Sequence, residues 1–207
     1  MGAQQDDRLG DLSVAALTEA IAARTPTPGG GVAAAVAAAH GAALLSMVSG
    51  FSVSAAAQAD SAVQEALLAH ARRGAHEFLA VAEADAQAYA AVSAALARRK
   101  DDPQRAAAIA AACRRACEPP AQLAEHASEL LVAAANFAPF VNRNLACDLA
   151  IAADLLLAAC RAGELLVRVN AQIAGEAAAP ALRQAADNLT CAQEAHTAIL
   201  GTLQLRE

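Results

Sequence analysis

Three stretches of this 207-residue chain carry residue types at spacings that could do chemistry. The first is Thr25-Pro26-Thr27-Pro28-Gly29-Gly30-Gly31. Glycines at a helix start leave backbone N–H groups open, and the helix dipole there favours an anion. Pro28, Gly29, Gly30 and Gly31 are therefore candidate ligand contacts, with a tight turn and close helix packing as the alternative. The segment is not a G-x-x-x-x-G-K-[ST] phosphate loop. The second stretch is Asn142-Arg143-Asn144-Leu145-Ala146-Cys147-Asp148. Asp148 either caps the helix that follows or acts as a general acid or base, a role that partial burial can tune. Asn142 and Asn144 are candidate binding residues beside it. Cys147 has no histidine near it in sequence to activate a thiolate. The third stretch covers residues 161–170. Arg161 and Arg168 share a helix face by their spacing and either hold a carboxylate together or are simply solvated. Asn170 closes that stretch. Asp85 is a second candidate carboxylate, with Tyr89 one turn on along the same face.

Other chemistries find little support. Cys113 and Cys117 stand at i, i+4 spacing, but no second pair at ligand spacing follows, so they read as small core residues and no metal is expected. An odd total of five cysteines argues against a secreted disulfide framework. The net charge of −6 and an aromatic content of 2% exclude the basic, base-stacking face of a nucleic-acid binder. The pairs Arg72-Arg73, Arg98-Arg99-Lys100 and Arg114-Arg115 read as solvated helix faces.

The elements that must position these residues are helices. Hydrophobic residues make up 57% of the chain, and with so few aromatics alanine supplies most of them. Alanine has the highest helix propensity, and its small side chain lets helices approach closely. Proline, glycine and capping signals divide the chain at 13–24, 29–51, 55–97, 104–117, 118–135, 145–172 and 180–205. Short connections between about seven helices predict an all-α, single-domain antiparallel bundle over 1–207, with 1–11 as a disordered tail. Residues 25–59 hold no Asp, Glu, Lys or Arg, a length that could span a bilayer. Their Ala, Gly and Ser content, with His40 and Gln58, favours burial in protein instead. The helix at 29–51 is thus expected to be buried almost all round, which in a chain this small calls for a symmetric partner. The reading is a cytoplasmic homodimer that engages neither membrane nor nucleic acid.

Taken together, these residues resemble the cyclodeaminase and methenyltetrahydrofolate cyclohydrolase family, also found as the C-terminal domain of formiminotransferase-cyclodeaminase. The resemblance rests on the 25–31 segment followed by Ala43-Leu44-Leu45-Ser46-Met47-Val48, and on Asp85-Ala86-Gln87-Ala88-Tyr89. Pro120, Asn142-x-Asn144 with Cys147-Asp148, Arg161 and Val167-Arg168-Val169-Asn170 extend it over nearly the whole chain. It implies an all-helical homodimer acting on a tetrahydrofolate derivative as substrate, with no bound cofactor. One family reaction closes 5-formimino-tetrahydrofolate to the 5,10-methenyl form with loss of ammonia. The other hydrates the methenyl form to 10-formyl-tetrahydrofolate. Asp148 or Asp85 would shuttle the proton, and Arg161, Arg168 or the glycine-rich helix start would hold the anionic tail or a ring carbonyl. The chain departs from the family at Ser49-Gly50-Phe51-Ser52-Val53-Ser54, where relatives carry a Thr-x-Gly-Lys-Lys-like run. The competing readings are a non-catalytic relative that binds a folate-like or other small anion, and a purely structural helical dimer.

Overall fold

Alanine-rich segments with sharp stops give helices that pack closely and end cleanly. A computed structural model describes residues 8–52 and 58–204, and among them there is no strand. Seven α-helices follow in order: α1 (Val14–Ala22), α2 (Gly30–Phe51), α3 (Gln58–Leu96), α4 (Arg105–Arg115), α5 (Glu118–Phe137), α6 (Ala146–Ala174) and α7 (Ala179–Leu203). Only α2, α3, α5, α6 and α7 are long, so the expected bundle of seven is a bundle of five. Nine-residue α1 buries no side chain. Eleven-residue α4 folds back on the far end of α3, where Val92, Ala95, Ala112, Cys113 and Ala116 form a small core of their own.

Local chemistry sets the helix ends. Ser13 caps α1 by accepting from the Ala16 N–H at 3.1 Å. Pro119 and Pro120 stand in the first turn of α5, where a missing N–H removes no helix bond. Gly175 ends α6 at φ 73°, a conformation that a Cβ would disfavour. The stretch after α5 was expected to be a loop. It is instead two single 3₁₀ turns, Ala138–Phe140 and Arg143–Leu145, that lead directly into α6. Of the expected disordered tail, residues 1–7 lie outside the described residues. Leu9–Asp11 form a 3₁₀ turn, with Leu9 packed on the core. Residues 53–57, including the expected break at Val53 and Ser54, also lie outside the described residues.

α2 lies between α3 and α6, and α5 packs on α3, α6 and α7. Val32, Ala35, Ala38, Ala42, Leu45 and Val48 of α2 are fully buried. The helix is long and apolar enough to cross a membrane, yet half of its most apolar window is buried inside the fold. Within one chain it is left open on one side, the part of the expected burial that a symmetric partner would have to supply. His40, Ala43, Gly50 and Phe51 are exposed, and they fall on one side of the helix.

The tightest backbone contact at a glycine in the bundle joins α5 to α6. A Cβ on Gly163 would lie 2.5 Å from the Pro120 carbonyl oxygen and 3.0 Å from the Ala124 nitrogen. Both are backbone atoms, which cannot swing aside. Gly163→Ala should therefore destabilise the protein by about 1–3 kcal/mol, the usual penalty of overpacking. Gly50→Ala, with nothing within 4 Å of the new carbon, should be neutral or stabilising by up to ~1 kcal/mol. Urea unfolding of the two variants checks the contrast.

Candidate functional site

The proline–glycine segment enters α2 at one end of the bundle. Gly29 is its N-cap and carries no side chain to close the helix start. The first intrahelical bond is the Ala33 N–H to the Gly29 carbonyl at 3.0 Å. The N–H groups of Gly30, Gly31 and Val32 are therefore open, as at any uncapped helix start. A cavity of about 290 Å³ lies against this terminus. Pro26, Thr27 and the three glycines form one wall, Asp85 and Tyr89 of α3 another, and Leu166, Val169 and Asn170 of α6 a third. Ala116 closes the floor between α4 and α5.

Asp85 lies directly on Gly31, and a Cβ at position 31 would overlap all three atoms of its carboxylate. Burial in this wall pushes the Asp85 carboxyl above the ordinary carboxylate range. Asn170 is fixed by donating from Nδ2 to the Ala116 carbonyl at 2.8 Å, which leaves its Oδ1 for an incoming N–H. Tyr89, Leu166 and Val169 supply apolar surface, and Tyr89 and Val169 are 46% and 48% exposed at the mouth. The site thus offers an apolar slot, a row of backbone donors, one amide acceptor and one protonatable carboxylate.

The structure brings together Gly29, Gly30, Gly31, Asp85 and Asn170. It does not bring the remaining candidates to this cavity. Pro28 is half-buried between two lining residues but does not line the space itself. Asp148 is half-buried in the first turn of α6, roughly 33 Å from Asn170 at 1.5 Å rise per residue. Asn142 and Asn144 lie at that far end, where the Asn142 side chain accepts from the Asn144 N–H at 3.1 Å and caps the 3₁₀ turn. The Asn142 N–H donates to Ser52 Oγ at 3.1 Å and ties the turn to the end of α2. Arg168 is not free to clamp a carboxylate with Arg161: it ion-pairs with Glu164, a buried acid that needs that charge. The same pairing holds the Arg168 guanidinium above its ordinary range. Arg161 is exposed. Leu166, Val169 and Ala116 had no chemical signal in the sequence, since apolar lining residues look like core. Among the described residues, no group of three or more His, Cys, Asp or Glu could hold a metal ion.

Residues 13–188 match the family model described as formiminotransferase-cyclodeaminase. The fold is similar to the crystal structure of formiminotetrahydrofolate cyclodeaminase from Thermotoga maritima, with a TM-score of 0.86. Identity with that protein is 22%, over 95% of this chain and 98% of the other. No curated protein sequence matches the chain.

The raised Asp85 carboxyl has a consequence for stability. A carboxyl raised by folding contributes stability below its unfolded pKa and loses it as pH rises through the folded value. Asp85 should therefore weaken the fold progressively above the usual carboxylate range. Asp85→Asn, uncharged at every pH, should melt at a higher temperature than the wild type near pH 7, and the gap should narrow at low pH. Thermal unfolding from pH 3 to pH 8 tests this, and a variant that melts lower than the wild type at pH 7 would contradict it.

Proposed function

The chain belongs to the formiminotransferase-cyclodeaminase family, and from that premise we propose that it closes a 5-formimino-tetrahydrofolate to the 5,10-methenyl form, with Asp85 as the proton shuttle. The observation that carries this reading is the placement of a burial-raised carboxyl against an open helix N-terminus in an apolar slot. The ring system would lie between Tyr89 and the Leu166–Val169 wall, with a ring carbonyl facing the Gly30 and Gly31 N–H groups. Asn170 Oδ1 would accept from a ring N–H.

The proton count closes with one shuttle. N10 attacks the carbon of the formamidinium, and the N10–C bond forms. Asp85 takes the proton from N10 and passes it to the departing nitrogen. The C–N bond breaks, ammonia leaves, and the positive charge stays on the methenyl bridge. A carboxyl raised toward the working pH is suited to both halves of that transfer. At about 290 Å³ the cavity is at the small end for a ligand site, so it would seat the reacting rings and leave the glutamate tail outside. The open side of α2 and α6 supports a homodimer as the working form.

Purified protein given 5-formimino-tetrahydrofolate should generate the methenyl chromophore with release of ammonia. Asp85→Asn should lower the rate by about 10²–10⁴, as expected for loss of a general acid–base group, while folate binding by calorimetry persists. If the wild type binds folates but never turns them over, the chain is a non-catalytic folate binder. If it does neither, the folate reading fails.

A further inference from the structure

The two groups of candidate residues are separated in one chain, yet they share one side of α6. Asp148 and the cavity residue Leu166 are about five full turns apart, so they project in the same direction at opposite ends of the helix. Along the adjoining side α6 exposes Ile151, Ala158, Leu165 and Val169. α2 runs antiparallel beside it, with its Gly41 against the Ala152 carbonyl, Leu155 and Leu156. The exposed side of each helix lies roughly 100° from that contact by helical geometry, so the two sides form one apolar face. Asp148 edges this face at one end and the cavity opens onto it at the other.

Two charges show how the face can pair with itself. Asp154 and Arg161 flank Ala158 on one side of α6, at equal distances along the helix within one residue. Arg161 is exposed, and the Asp154 side chain is 66% exposed although it contacts His196. A two-fold axis crossing α6 near Ala158 at right angles sets each Asp154 against the Arg161 of the other chain. It also opposes the α6 dipoles. The alternative axis, parallel to the helices, brings like ends of the two chains level and forms neither charge pair. With the perpendicular axis, the Asp148 end of one chain falls over the Leu166–Asn170 wall of the other.

We propose that a second copy of this chain completes the site: each cavity is formed by Gly29–Gly31, Asp85 and Asn170 of one subunit and closed by the partner's Asp148. The proposal rests on the folate reading for its chemistry, in which one carboxylate moves the proton and the other faces the cationic amidine carbon. Its geometry stands independently of that reading. It also explains why a cavity open through Tyr89 and Val169 lacks a fourth wall within the subunit.

Complementation decides the matter. Asp85→Asn and Asp148→Asn chains carrying different tags are co-expressed, and the mixed dimer is isolated. One of its two sites then holds both carboxylates and the other holds neither. The mixed dimer should show about half the wild-type turnover, although each parent homodimer has lost about 10²–10⁴ of it. A mixed dimer as inactive as its parents would overturn the proposal. A second readout needs no activity. In a Cys191→Ser background, Val169→Cys should cross-link through a short bis-maleimide to the exposed Cys147 of the other chain, since Cys113, Cys117 and Cys160 are buried. Within one chain the two positions are roughly 33 Å apart. Peptide mass spectrometry should find the 147–169 link, and a 147–147 link or no covalent dimer would refute the shared site. If the wild type proves inactive on folates while the 147–169 link forms, the folate chemistry fails and the two-chain cavity stands.

Discussion

A side chain at position 31 would have to displace the Asp85 carboxylate, which fills the space it would need. That single contact ties the start of α2 to the middle of α3. It fixes how far the proline–glycine segment must carry the chain before α2 begins. It also sets a charge-bearing group against three unbonded backbone N–H groups in a partly dry wall. Removing a carboxylate from water is unfavourable, and it is tolerated here only because the rest of α2 packs so completely. Val32, Ala35, Ala38, Ala42, Leu45 and Val48, all fully buried, hold α2 against α3 and α6. The site is strained electrostatically and the scaffold beside it is not.

Small residues make that scaffold possible. Gly163 against Pro120 and Gly41 against Ala152 bring helix backbones into direct contact. Large side chains are kept for the layers between, with Phe78, Phe137, Leu123, Leu130 and Leu156 fully buried. A close-packed interior with few voids transmits position well, so an acid on α3, an amide on α6 and a helix start on α2 keep their mutual geometry through packing.

Much of this was legible in the sequence, for reasons that differ by residue. The helices could be read because Ser13, Pro119, Pro120 and Gly175 act locally, within a turn of the ends they set. Gly29, Gly30, Gly31 and Asp85 could be found as separate signals, yet nothing in their spacing told that Gly31 and Asp85 touch. Asp148 and Asn142 looked equally good, because a sequence that shows a long helix at 145–172 does not reveal which of its ends meets the glycines. The Arg161–Arg168 pair is divided for a related reason. Their spacing was right, but Glu164 one turn away is buried and claims Arg168. α2 is a different case, since its uniform composition did not show which side the rest of the chain leaves uncovered.

The end of α2 carries hydroxyls where the family resemblance implies a basic run. Where relatives are expected to carry a basic run, Ser49 is fully buried and donates to the Gln64 carbonyl at 3.0 Å, and Gln64 Nε2 returns a bond to the Ser49 carbonyl at 2.7 Å. Ser52 donates to the Val48 carbonyl at 2.7 Å while accepting from Asn142. These residues join α2 to α3 and to the turn before α6, so a lysine at 49 or 52 would bury an unpaired charge. These hydroxyls lie at the Asp148 end of the face, far from the chain's own cavity. In a two-chain site it faces the partner's cavity mouth, where the anionic tail of a folate would emerge. Among the described residues, Arg143, exposed in the adjoining 3₁₀ turn, is a cation at that end with which such a tail could pair.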